Sequence, residues 1–125
     1  MKSPWKSFEN LDPDREYLVL ASSIPAKKMS STWKMFRGSR AVRRQLAGTD
    51  GVVGFALLAQ PFSKKYATLS VWTGEDALDR FTADTPHREI MADLASAMGP
   101  TKFVKWTITG ADGTPTWPDA LDRLR

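Results

Sequence analysis

The stretch Lys65-Tyr66-Ala67-Thr68-Leu69-Ser70-Val71-Trp72 alternates aliphatic side chains with aromatic and hydroxyl-bearing ones. Strict alternation predicts a strand, because successive side chains leave a pleated backbone on opposite sides. Ala67, Leu69 and Val71 share one side and read as packed core. Tyr66, Thr68, Ser70 and Trp72 share the other, which suits a pocket wall or a polar dimer interface. Thr73 and Glu75-Asp76 then open a helical stretch through Ala77, Leu78 and Phe81, acidic residues being common in a first turn.

Working outward, Val52 to Ala59 reads as a buried strand ended by Gln60-Pro61, so it forms a hairpin with the strand at 65–72. Tyr17 to Ala21 has strand composition and ends near Pro25. Ser30, Ser31 and Thr32 offer N-caps for a helix that runs to about Ala47 and stops at Gly48. Thr85-Pro86 pairs an N-cap with a first-turn proline, predicting a helix from Pro86 to Met98 that Gly99-Pro100 ends. In the last strand, Lys102 to Thr109, Val104, Trp106 and Ile108 alternate with Phe103, Lys105 and Thr107. Gly110 to Thr116 is rich in turn residues, and Pro118 to Arg125 has room for two helical turns starting at Pro118. Residues 1–16 are polar and carry Pro4 and Pro13, which predicts an irregular arm anchored by Trp5 and Phe8; residues 17–125 form the single domain.

The order is strand, helix, strand, strand, helix, strand. One antiparallel sheet with helices on one face satisfies it, so the expected class is α+β with a ferredoxin-like βαββαβ topology. The other face of such a sheet needs a cover, and a second copy of the sheet is the simplest; a homodimer is expected.

The 125 residues include no cysteine, which excludes disulfide scaffolds, thiolate zinc sites and a thiol nucleophile. Behind Met1 and Lys2 there is no apolar run of signal-peptide type, and the longest apolar stretch, Val52 to Ala59, is far short of a membrane span. A soluble cytoplasmic domain is expected. The 18 Lys+Arg against 14 Asp+Glu give a net charge of +4, too small an excess to demand nucleic acid. Gly48, Gly51 and Gly54 surround a loop before a strand, whereas a phosphate-binding loop precedes a helix.

His87 is the one histidine. Positions 87, 90, 91, 94 and 98 hold His, Ile, Met, Leu and Met, spacings of three and four that put His87 on the apolar stripe of its helix. Near the helix N-terminus the dipole disfavours the imidazolium. A neutral inward imidazole serves as a ligand, a base or a hydrogen-bonded core residue. On the first helix Trp33, Arg37, Arg40 and Arg44 fall on one stripe, a solvated face or a receptor for a carboxylate or phosphate.

Leu69-Ser70-Val71-Trp72, Glu75-Asp76-Ala77-Leu78, Phe81, Pro86-His87-Arg88 and Met91, with Phe103 to Trp106, Pro115-Thr116-Trp117 and Ala120-Leu121-Asp122-Arg123-Leu124, resemble the dimeric α+β-barrel superfamily. That superfamily includes antibiotic-biosynthesis, haem-degrading and spheroidene monooxygenases. The resemblance implies a monooxygenase-like enzyme acting on an apolar or aromatic small molecule between helices and sheet, haem-dependent or cofactor-free. The alternative is a non-catalytic barrel that binds a small ligand or haem. His87 looks like the histidine that ligates haem iron, and Trp72 like the tryptophan that lines the pocket. In the haem version Arg37 or Arg40 pairs a propionate; in the cofactor-free version His87 is the base. The haem-degrading members place an asparagine on the first strand, and Tyr17 to Ser23 contains none.

Overall fold

The computed structural model describes residues 5–25, 40–41, 44–46, 48, 50–60, 65–83 and 101–125. They form β1 (Lys6–Ser7), β2 (Glu16–Pro25), β3 (Val52–Gln60), β4 (Lys65–Trp72), α1 (Glu75–Ala83), β5 (Lys102–Thr109), a 3₁₀ turn (Gly110–Asp112) and α2 (Trp117–Arg123). Residues 40, 41 and 44–46 are helical, and the rest of the expected first helix lies outside the described residues, as does the expected helix Pro86 to Met98. The sheet order is β1-β3-β4-β2-β5 with every pair antiparallel. Without β1, this is the ferredoxin-like order, in which the first and third strands of the motif are central.

The central pair sets the register: Leu18 lies opposite Trp72 and Pro25 opposite Lys65. Directly opposed residues of an antiparallel pair share a face, so the alternation of β4 extends across the sheet. One face packs Tyr17, Val19, Ala21, Leu69 and Val71 against Ala120 and Leu124 of the tail. The opposite face packs Val52, Phe55 and Trp72 against Ala77, Leu78 and Phe81 of α1 and against Leu46. These are called the tail face and the helix face below. The tail helix is short but well capped: Thr116 accepts from the Asp119 amide, Pro118 sits in the first turn, and Arg123 pairs with Asp119 at 3.1 Å. Its Arg123 guanidinium also lies 4.4 Å from the Trp106 ring centroid. A face expected to be bare is thus covered in part by the chain itself.

The N-terminal arm contains a short strand. Lys6 and Ser7 pair with Phe55 and Gly54 at the outer edge of β3, and Phe8 donates its amide to the Val53 carbonyl at 2.8 Å. Trp5 and Phe8 then straddle that edge: Trp5 packs against the tail-face core, and Phe8 stacks on Phe55 at 5.8 Å on the helix face. Two features of β3 make this possible. A bulge between Val52 and Gly54 adds one residue to β3, so that Gly54 pairs with Val71 and joins Val53 on the tail side, while Val52 and Phe55 face α1. Gly54 has no side chain, and the Trp5 indole occupies the space: a Cβ there would meet Trp5 carbons at 2.6 Å. Gly51, at φ 91°, makes the turn into β3, and its carbonyl accepts the Thr73 amide at 2.8 Å, tying that turn to the start of α1.

Valine is the better strand former, so Gly54 is explained by Trp5 alone. Gly54→Val should destabilise the native protein by about 1–3 kcal/mol through overpacking. In a Trp5→Ala background the same substitution should be neutral or stabilising. A urea-unfolding double-mutant cycle reads the reversal; additive effects would show that Trp5 does not rest on Gly54.

Candidate functional site

The helix face carries a row of polar side chains set in hydrocarbon. In β4 the row is Thr68, Ser70 and Trp72, and in β2 Ser22 lies opposite Thr68. Ser22 and Ser70 are the buried polar residues of the described chain, 3% and 7% exposed. Burying a hydroxyl is unfavourable unless it finds a partner, and the register supplies one for each. The Ser22 and Thr68 hydroxyls bond to each other across the strands. The Trp72 indole N–H donates to Ser70 Oγ at 2.8 Å, along the same strand. Leu18, Leu20, Phe55 and Leu57 surround the row.

The row runs from closed to open. Trp72, 1% exposed, ends it beneath α1, with its ring 5.2 Å from that of Phe81. Toward the other end Thr68, Tyr66, Leu20 and Leu57 are only half-buried. Gln45 fastens the helical segment at 44–46 to α1 by donating to the Phe81 carbonyl at 3.2 Å. Near β5 the Lys105 ammonium donates to Glu75 Oε1 at 2.6 Å, strapping the first turn of α1 to the sheet edge. The hydrogen bond to Glu75 and its negative charge both raise the Lys105 pKa above 10.5.

Of the residues expected to form a site, Trp72 lies in this face and contributes a packed ring and a committed N–H. Arg40 is helical and exposed. Arg37 and His87 lie outside the described residues. The hydroxyl side of β4, read as pocket wall or dimer interface, is the side beneath α1. Ser22 lies in no nucleophile motif, and its partner Thr68 is 46 residues away, so only the β2–β4 register joins them. Among the described residues no group of three or more His, Cys, Asp or Glu is placed to hold a metal ion, and no helix is long and apolar enough to cross a membrane.

No protein-family model and no curated protein matches the chain. Solved structures share its fold. The cofactor-independent oxygenase SnoaB from Streptomyces nogalater matches with a TM-score of 0.60 at 16% identity, over 82% of this chain and 98% of that one. A dimeric ferredoxin-like protein of unknown function from Thermobifida fusca matches with a TM-score of 0.65 at 15% identity, over 80% and 98%. A protein from Nitrosomonas europaea, provisionally assigned as an antibiotic biosynthesis monooxygenase, matches with a TM-score of 0.63 at 14% identity, over 71% and 95%. At these identities the likeness establishes the fold: an α+β, ferredoxin-like antiparallel sheet whose structural neighbours include monooxygenases and a dimeric ferredoxin-like protein.

Two consequences can be measured. Ser70→Ala leaves the buried Trp72 N–H without its acceptor, so it should cost about 1–3 kcal/mol in chemical denaturation, whereas Ser70→Thr, which keeps an acceptor, should recover part of that loss. Lys105 has a raised folded-state pKa, so its stabilisation is complete at neutral pH and fades only as pH climbs through and above the ordinary lysine range. Both partners are exposed, so salt should weaken the strap. A Lys105→Met variant should therefore differ from the parent in low salt at pH 7, and the gap should close at high salt and in strong alkali.

Proposed function

We propose that this chain is a cofactor-free, monooxygenase-type enzyme that holds an apolar or aromatic small molecule against the helix face of its sheet and works as a homodimer. The observation that carries the reading is the polar row beside Trp72: buried hydroxyls within a hydrocarbon face suit a ligand that is flat and apolar but bears oxygen. The fold shared with a cofactor-independent oxygenase supports the same reading.

His87 is proposed as the base, on its place in the sequence. It takes a proton from an activated C–H of the substrate, imidazole being the commonest side-chain general base. The carbanion adds dioxygen and, on protonation, becomes a hydroperoxide; loss of water leaves a carbonyl at that carbon. The substrate supplies the electrons, so one oxygen atom enters the product and the other leaves as water. Trp72 walls the closed end and orients Ser70 through its N–H.

Haem enters this reading only through the resemblance. The described residues of the helix face offer it a hydrocarbon wall, while Arg40 is exposed and the described part of the face contains no histidine. Haem binding would therefore rest on His87 and Arg37.

Oxygen uptake with a panel of acidic aromatic ketones and phenols tests the proposal. Turnover should fall at least about 100-fold in His87→Ala. Binding without oxygen uptake would make the protein a ligand-binding barrel. Saturable haemin binding, one per chain and abolished by His87→Ala, would replace the cofactor-free chemistry with a haem-dependent one.

A further inference from the structure

A cavity of about 290 Å³ lies between the N-terminal arm and the turn at 110–114, on the tail side of the sheet. The arm is fastened on both sides of it. Upstream, the amides of Phe8 and Glu9 donate to the Val53 carbonyl at 2.8 and 3.4 Å. Downstream, the Asp12 amide donates to the Tyr17 hydroxyl at 2.8 Å, and the Gly110 amide donates to the Arg15 carbonyl at 2.8 Å. Gly110 lies so close to the arm that a Cβ there would strike the Asp12 carbonyl. Residues 9–11 therefore bridge two anchored points, and backbone bonds hold the walls apart. A preformed cavity leaves little to be ordered when a ligand enters.

The lining selects the ligand. Its apolar part is Trp5, Leu11 and Val53, the first two half-buried and the last 2% exposed. Its polar part is rich in acceptors, with Glu9 and Asn10 on the arm and Thr114 across from them. Glu9 carries the one charge of the lining, and no lysine or arginine is among the described residues there. Among the described residues the Glu9 side chain has neither an ion pair nor a hydrogen bond, so it is free to turn toward a cation. We propose that this cavity binds a small arylalkylamine in its ammonium form, at a site separate from the helix face and independent of the chemistry proposed there. The ring lies against Trp5 and Leu11, and the ammonium donates to Glu9 and the acceptors beside it. The Trp5 indole adds a further attraction for the cation. An anionic ligand would meet Glu9 with no basic group to offset it.

The test uses the full chain at pH 7 and three probes of one shape: 2-phenylethylamine, 2-phenylethanol and 3-phenylpropionate. Calorimetry in low salt should rank the amine about three- to five-fold above the alcohol, with the acid weakest, and added salt should narrow the range. The indole N–H signals of the tryptophans locate the site: the amine should shift the signal that Trp5→Phe removes and leave the others in place. Glu9→Gln changes an exposed side chain, so the fold should persist, as a thermal melt will show. In that variant the amine should lose its advantage while the alcohol binds as before. No binding of the amine in the millimolar range would overturn the proposal. Equal affinities for the three probes would also overturn it, as would an advantage that survives Glu9→Gln or shifts confined to indoles other than Trp5.

Discussion

The eight-residue register between β2 and β4 is the constraint on which the rest depends. Each strand is central, flanked on both sides, and each alternates. A slip of one residue would turn Leu69 and Val71 toward α1 and send Ser70 and Thr68 into the core beneath the tail. Thr68 would then lose Ser22 across the strands, while Ser70 and Trp72, both in β4, would move together out of the packing beneath α1. The Ser22–Thr68 pair therefore specifies the register as well as belonging to the candidate site. Buried Ser22, 3% exposed, is tolerated because only one alignment of the strands gives it Thr68.

Much of this was legible in the sequence. Alternation is a local property, so the strand limits at 65–72 and 102–109 and the division of β4 into core and hydroxyl sides follow from neighbouring residues. The tail helix was legible for the same reason, Thr116 and Pro118 being local signals. Pairing between distant segments was not. Nothing near Gly54 in sequence indicates that Trp5 will lie on it, and nothing near Ser22 announces Thr68. The polar arm of residues 1–16 read as irregular because a two-residue strand has no periodicity to detect. The site residues divide likewise: Thr68, Ser70 and Trp72 were marked by the alternation of their strand, whereas Ser22 joins the row only in the assembled sheet.

The two faces are asymmetric in how they are closed. On the helix face, packing at the Trp72 end is dense and the Thr68 end is half-open. The tail face is closed by segments from both ends of the sequence, Trp5 and Leu11 from one and Ala120 and Leu124 from the other. Arg123 over Trp106 extends that cover to β5. A homodimer built on this sheet must accommodate a face that its own chain already occupies in part, which sets this chain apart from the simplest two-sheet arrangement.

The position of α2 also bears on how the molecule is made. Residues 117–124 emerge from the ribosome after every strand of the sheet, and they bury Tyr17, Val19 and Val71. During synthesis the sheet can assemble while that apolar surface is still uncovered, and a nascent chain in that state is prone to stick to its neighbours. The last seven-residue helix thus does more than its length implies: its arrival converts an adhesive intermediate into a finished surface, and damage there would be felt first as poor yield of intact protein, ahead of any change at the opposite face.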